Sequence, residues 1–562
     1  MLIKFFKIFS LILLLIYQSS VYSKSEDINE FNSKNLSSYF SALVSYDNQK
    51  NIDAINFFKS SNSLINKHDS YLKKYIFSLV MEGKINKSIT QLKQFSGEKK
   101  SDFFEAYLIL ILDSVKKKNF EKSNKYLNEL SRFKENSTFD FIIYESLKNY
   151  IYLFENKETL LSNNNLGNLS FINKIFHSCY LEDRETQTHF ENLINRVDVD
   201  YSRYIFFYIN YLIEQNQFNK AKEIMDEIDI LNSNLLIGQT KNWIDKNQFQ
   251  KFNHIFSCKN ETDILSEFFF LIANIYSSED EIERSNFYLN ISKFLNSKFH
   301  FNLSLFVENY YNSKNYRKSE KVLDNFDKND DLYHWYKIKI KKEIISKELG
   351  QEEAYNFINL KFKQIKKPSI KILFDMGNIM KGFKKHQIAI NYYDQVLSRT
   401  DMHSDAYAEI LFRRGGSYER LKKFKKSDKD LLKSLEINPN DAYVLNYLAY
   451  SWLERNYKVD TAIEMLQRAY KKKNNDPFII DSVGWGYYLV DELVKAEFFL
   501  KRAIELMPND PIVNDHYGDI LWKMNRKIQA RYYWQSVLKF EDTEESMKEK
   551  IKIKLLKGLK KI

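Results

Sequence analysis

The sequence predicts an all-α protein in which antiparallel helix pairs stack side by side, a divergent N-terminal part leading into regular C-terminal repeats. Three observations carry this. Glycine and proline are scarce, 13 and 5 of 562 residues, about 3% where an average chain carries roughly 12%. Turn-rich β folds need such residues at every hairpin. Hydrophobic residues make up 44% and aromatics 16%, enough for a large core and too many for wholesale disorder. Small residues also recur at a fixed interval in the C-terminal third. The length allows roughly three to five domains or one long repeat array.

Residues 1–23 read as a signal peptide. Lys4 and Lys7 precede an apolar run from Ile8 to Tyr17, and Val21 and Ser23 suit the −3 and −1 positions of a cleavage site. The run is short for a bilayer span, which needs roughly 20 residues. The expectation is export with a mature start near Lys24, hence periplasm or cell envelope; an uncleaved N-terminal anchor facing the periplasm is the alternative. No cysteine follows the run, so a lipid anchor is not supported.

Residues 24–366 read as a divergent array of helical hairpins. Ala42/Ala54, Ile209/Ala221, Ala273/Ser285 and Val307/Ser319 are each spaced by twelve, with Phe57, Phe58, Tyr126, Tyr288 and Val322 supplying large apolar partners. No proline occurs before Pro368, so helix ends here rely on polar clusters such as Asn163–Asn165. Length divided by the repeat leaves room for roughly sixteen units, and long connections such as Ser162–Ser170 reduce that to about twelve to fourteen.

Residues 368–541 repeat openly. Gly484/Gly518, Ala496/Ala530 and Pro477/Pro511 lie 34 apart, as do Gly415 and Ala449, and Ala449/Gly484 are 35 apart. Within a unit a second small residue follows twelve later: Gly377/Ala389, Gly415/Ser427, Gly484/Ala496, Gly518/Ala530; Ala449/Ala462 are spaced by 13. Small residues let paired helices approach, and large ones beside them fill the space. Pro439 and Pro508, near the ends of second helices, stop them, and the following Asn and Asp can cap the next. One pair cannot bury its apolar face alone, so neighbours stack.

This pattern resembles the tetratricopeptide repeat family. With Pro477 as position 1, Gly484 stands at 8, Tyr487 at 11, Ala496 at 20, Leu500 at 24, Ala503 at 27 and Pro508 at 32. A frame starting at Pro511 places Gly518, Leu521, Ala530 and Trp534; one starting at Ala408 places Leu411, Gly415, Tyr418, Ser427, Leu431, Ser434 and Pro439. The resemblance implies a right-handed superhelical solenoid. More narrowly, Asn446–Trp534 looks like exported or envelope members from alphaproteobacteria, which implies a location rather than an activity.

The resemblance also implies a groove lined by the first helix of each pair. Carried over, its residues are Tyr443, Asn446, Tyr450 and Leu453; Phe478, Asp481, Trp485 and Tyr488; and Ile512, Asp515, Asp519 and Trp522. Aromatic rings beside Asn and Asp suit an extended, basic or neutral peptide. The plainer expectation is that Trp485, Tyr488 and Trp522 simply pack against neighbouring helices. Residues 542–562 form a basic amphipathic C-terminal helix, with Ile551, Ile553, Leu555, Leu556 and Leu559 among seven lysines. It reads as a cap on the last repeat, with membrane-surface contact as the alternative.

Little chemistry is visible. The nine histidines form no i, i+4 metal face, and His516, near Asp515 and Asp519, reads as a surface residue without a nucleophile to serve. Cys179 and Cys258 read as two separately buried thiols, with a disulfide as the alternative in an oxidising compartment. Gly484-Trp485-Gly486 is not a phosphate loop. The formal net charge is +11, but the lysines alternate with glutamates as on solvated faces, and no nucleic-acid module appears. No catalytic, cofactor or metal residues are expected. The expected function is a non-enzymatic protein-interaction scaffold or assembly factor of the cell envelope. The alternatives are an envelope enzyme with its site in the N-terminal region, or a membrane-surface adaptor using the C-terminal helix.

Overall fold

The computed structural model describes residues 32–160, 166–196, 200–326, 330–541 and 543–559. The expected signal peptide and Asn163–Asn165 lie outside them. Among the described residues the regular structure is entirely helical: thirty α-helices and four short 3-10 turns. The chain forms two compact units, Met1–Glu227 with Asn234–Ile344, and Ile228–Ser233 with Ile345–Ile562.

Both units use the same hairpin turn. Gln49, Gly83 and Lys118, and later Lys422, Asn456, Asp491 and Asn525, stand 34 or 35 residues apart and all have positive φ. This left-handed residue ends the first helix by sending its N–H back to a helical carbonyl, as Asn525 does to Trp522 at 3.0 Å. A short step later the second helix begins, and its inward-facing small residue is buried: Ser88, Ser123, Ala221, Ser285 and Ser319 in the first unit, Ala389, Ser427, Ala462, Ala496 and Ala530 in the second.

The second unit contains five successive pairs: α1 (Ile370–Gly382) with α2 (His386–Leu397), α3 (Asp405–Arg420) with α4 (Phe424–Ile437), α5 (Ala442–Glu454) with α6 (Val459–Lys472), α7 (Pro477–Leu489) with α8 (Leu493–Leu506), and α9 (Pro511–Lys523) with α10 (Lys527–Val537). A final helix, α11 (Glu545–Lys557), follows. Each position-8 glycine meets the large residue sixteen positions on. A Cβ on Gly484 would lie 2.7 Å from Leu500 Cγ and 3.0 Å from its backbone nitrogen; on Gly377 it would lie 2.6 Å from Tyr393, and on Gly415 3.0 Å from Leu431. Only a hydrogen fits between these helices. Asp441, Asp476 and Asp510 cap α5, α7 and α9, each accepting two backbone N–H bonds at 2.8–3.2 Å. Pro477 and Pro511 occupy the first helical turn, where a missing N–H costs nothing.

The first unit contains hairpins of the same kind, among them Ser33–Asp47 with Asn51–Ser60, Ser70–Met81 with Ile85–Gln94, and Phe104–Lys116 with Phe120–Leu130. A later hairpin, Glu261–Ser278 with Ile282–Leu295, folds back across them. Phe287 stacks on Phe77 at 4.8 Å, Asn290 donates to the Met81 carbonyl at 3.3 Å, Lys116 to the Phe294 carbonyl at 2.6 Å, and Tyr276 packs on Phe139 at 4.4 Å. Arg203 anchors this hairpin: it forks onto the fully buried Glu267 at 2.8 and 2.6 Å and lies 3.8 Å over the Phe270 ring.

The cysteines correct one expectation. Cys179 and Cys258 are not separate thiols but a disulfide, with Cα atoms 5.9 Å apart. The bond joins helix Asn168–Tyr180 to the segment leading into the folded-back hairpin. Two residues 79 apart in sequence meet only because the first unit closes on itself.

Candidate functional site

The twelve predicted groove residues lie on α5, α7 and α9, the first helices of their pairs. The structure divides them into an open part and an occupied part. On α5, Tyr443 is 49% exposed, while Asn446 and Tyr450 are half-buried. The Asn446 side-chain carbonyl is buried with no donor, a deficit of roughly 1–3 kcal/mol. Phe478 and Ile512, at the openings of α7 and α9, are exposed.

Further along, the side chains converge. Trp485 stacks on Tyr488 at 4.6 Å and on His516 at 4.0 Å, and its indole N–H donates to Glu454 at 2.7 Å. Asp481 accepts from His516 Nδ1 at 2.9 Å, and both are buried. His516 is therefore an interior partner, not the surface residue the sequence suggested. Its neighbours explain why: α7 and α9 are in contact, and the imidazole answers the Asp481 carboxylate on the adjoining helix.

Asp515 and Asp519 are taken by the C-terminal helix. Lys554 reaches Asp515 at 2.5 Å and Asp519 at 2.7 and 2.8 Å, and the Trp534 indole donates to Asp519 at 3.0 Å. Ile551, one turn before Lys554, is fully buried, and Met547, Leu555 and Leu559 pack beside it. Trp522 lies against Trp534 at 5.3 Å and against Gly558, whose φ of 71° lets the chain turn where a Cβ would strike the indole. The carboxylates expected to bond a peptide backbone are thus already bonded within the chain at Asp481 and Asp519. Trp485, Tyr488 and Trp522 do pack against neighbouring helices, although Trp485 and Trp522 keep part of their surface open.

Burial, reinforced by Asp515, pushes the Asp519 carboxyl up to about 6 despite Lys554. For His516 burial acts downward, but Asp481, with Asp515 and Asp519 behind it, outweighs it and holds the imidazole above its ordinary value. Burial and nearby carboxylates raise the Tyr450 and Tyr488 phenols. The arrangement is a locally acidic, ring-walled surface on which a lysine is held by two carboxylates. The sequence reading missed Lys554 and Gly558, and it named His516 and Trp534 without giving them a part in this site. The one available signal was the i, i+3 spacing of Ile551 and Lys554, which places an apolar anchor and a charge on one face. Among the described residues no group of three or more His, Cys, Asp or Glu side chains could hold a metal ion, and no helix is long and apolar enough to cross a membrane.

The chain is 31% identical over 99 residues to a TPR repeat-containing protein of Pseudomonas aeruginosa, 18% of this chain and 17% of that protein. That likeness supports the tetratricopeptide assignment of the repeats; it lends nothing to the narrower resemblance to exported alphaproteobacterial proteins. This chain spans under a fifth of that relative's length. No family model matches. Solved structures with some similarity include a tetratricopeptide repeat protein from Parabacteroides merdae (16% identity, 45% of this chain and 98% of that one, TM-score 0.38) and a thermophilic TPR protein of Thermus thermophilus (16%, 34% and 100%, TM-score 0.30). Another is MamA of Desulfovibrio magneticus (16%, 31% and 97%, TM-score 0.27). These scores are too low to bear on function.

Proposed function

We propose that this chain is a non-enzymatic protein-interaction scaffold of the cell envelope, holding basic partner segments against α5, α7 and α9. The observation that carries this is the seat of Lys554. The chain's own C-terminal helix lays apolar side chains and one lysine onto that surface, and Asp515, Asp519 and the Trp522 ring receive them. A partner segment of the same character would find the exposed Tyr443 beside it, with the half-buried Asn446 and Tyr450 partly accessible. Binding a helix or strand through a few ring and carboxylate anchors is a common mode of peptide recognition. The Cys179–Cys258 disulfide supports export, because such bonds persist in oxidising compartments; the basic and apolar N-terminal residues point the same way.

The test is photo-crosslinking in the native cell, with a photoreactive residue in place of Tyr443 or Tyr450 and, as a control, Val494 on the second helix α8, which is 79% exposed. The expected result is discrete adducts from the first two sites and none from the third. Equal labelling at all three, or none at Tyr443 and Tyr450, overturns the groove reading.

A further inference from the structure

A cleft of about 940 Å³ opens in the first unit, where the turn between Glu261–Ser278 and Ile282–Leu295 faces the first helices of the N-terminal hairpins. Its walls are aromatic, with Tyr46, Phe77, Phe104, Tyr276, Phe287 and Tyr288 among them. Its charge is negative: Glu105, Asp140, Asp280, Glu281 and Glu283 stand against Lys73 and Arg284, in a chain of formal net charge +11.

The acids are poorly compensated. Lys73 pairs with Glu105 at 3.3 Å, whereas Asp140, Asp280, Glu281 and Glu283 form no ion pair among the described residues, Glu283 accepting instead from the uncharged Gln49 amide. Arg284 turns instead to the Tyr276 hydroxyl at 3.5 Å. Tyr288 is the second, independent sign. It is 5% exposed, lines the cleft, and its hydroxyl makes no hydrogen bond among the described residues. Burial first, then Tyr276, Glu105 and Asp140, raise that phenol against the opposing Arg284, and all of these residues line the same cleft. The hydroxyl is not sealed among the fully buried, unbonded polar atoms but opens on the cleft, an unused donor beside the carboxylates.

A cation entering this space gains carboxylates and ring faces together, while an anion meets a net negative wall. The volume lies near the upper end of ligand pockets, roughly 300–1,000 Å³, which a single small amine would underfill. We propose that this cleft binds a lysine- or arginine-bearing peptide segment of a partner protein, its cationic groups among Asp140, Glu281 and Glu283 and its stems along the aromatic walls. The site uses none of the residues of α5, α7 and α9 and stands independently of the groove described above.

The test is fluorescence anisotropy on the full chain with a labelled extended peptide alternating Arg or Lys with Leu and Phe. A matched peptide with Glu in place of the bases, and spermidine as an unlabelled competitor, complete the probes. The expected result is saturable binding of the basic peptide alone, weakened about tenfold by Asp140→Asn with Glu283→Gln, about threefold by Tyr288→Phe, and not at all by Asp53→Asn, an exposed acid outside the cleft. Spermidine displaces it only in large excess. Should the double variant fail to fold by circular dichroism, Glu281→Gln, an exposed rim residue, carries the same expectation of weakened binding. Equal affinity for the Glu peptide, equal loss in Asp53→Asn, insensitivity of the folded cleft variants, or displacement by spermidine at matched charge overturns the proposal.

Discussion

The two units are built from one hairpin and finished differently. In the second, each pair meets its neighbours in sequence, and the row of first helices stays accessible until α11 covers its end. In the first, the Glu261–Leu295 hairpin folds back onto helices 178 to 209 positions earlier and closes the inner face around a cleft. The lesson is that repeat chemistry sets the pair, while a few long-range anchors decide whether the row stays open. Those anchors are the Arg203–Glu267 fork and the Cys179–Cys258 bond; in the second unit the comparable agent is a single lysine on a terminal helix.

The comparison is easiest to break at the fork. Glu267→Ala leaves the Arg203 guanidinium buried without its partner and should destabilise the first unit by roughly 3–5 kcal/mol, leaving the second unit's calorimetric transition in place. A single transition shifted as a whole would show that the units do not unfold separately. Replacing both cysteines by serine removes a closed loop of 79 residues and should cost the first unit up to about 4 kcal/mol by chain entropy; a reductant titration should reproduce the loss.

Gly484→Leu probes the second unit. The added side chain meets the Leu500 backbone as well as its side chain, so overpacking of roughly 2–4 kcal/mol is expected. Gly382→Ala, where nothing lies within 4 Å, should be neutral or slightly stabilising. Equal chemical-denaturation midpoints for the two variants would refute the close-approach account.

The smallest effect is the pH dependence of the second unit. Asp519 is raised from 3.8 to about 6 in the folded chain, so the fold holds its proton more tightly than the unfolded chain does. Its contribution is complete below about pH 4 and is lost as pH rises through 6. His516, also raised, contributes fully below its ordinary 6.5 and loses that contribution as pH climbs through its folded value. Melting temperature should therefore decline from pH 4 to 8, and Asp519→Asn should flatten only the lower limb.

Much of the second unit was legible because its small positions are glycine and alanine and its helix ends are marked by proline and aspartate. Gly484, Ala496, Pro508 and Asp510 each do in the structure what their spacing implied. The first unit showed the same period only in part: Ser285 and Ser319 stood out by their spacing of twelve, whereas Ser88 and Ser123 take the small position unmarked, and the left-handed turn is made by Gln, Lys, Asn or Asp as readily as by Gly. A tally of buried Ser and Ala together would have carried the repeat toward the N-terminus. In the groove, Asp481 and Asp519, expected to bond a peptide backbone, are instead held by His516 and Lys554, partners that stand 35 residues away in sequence.

Residue types and their intervals determined the helices, the hairpin turns and the stacking of neighbours, since those contacts span fewer than about forty residues and local geometry dictates them. Closure of the first unit, the cysteine bond and the seating of Lys554 were decided only in three dimensions. The first two join side chains whose meeting depends on the summed twist of many pairs, a small angle per repeat that no single stretch of sequence reveals; Lys554 lies only 35 and 39 residues from its carboxylates, but on a helix outside the repeat, so no interval marks where it docks.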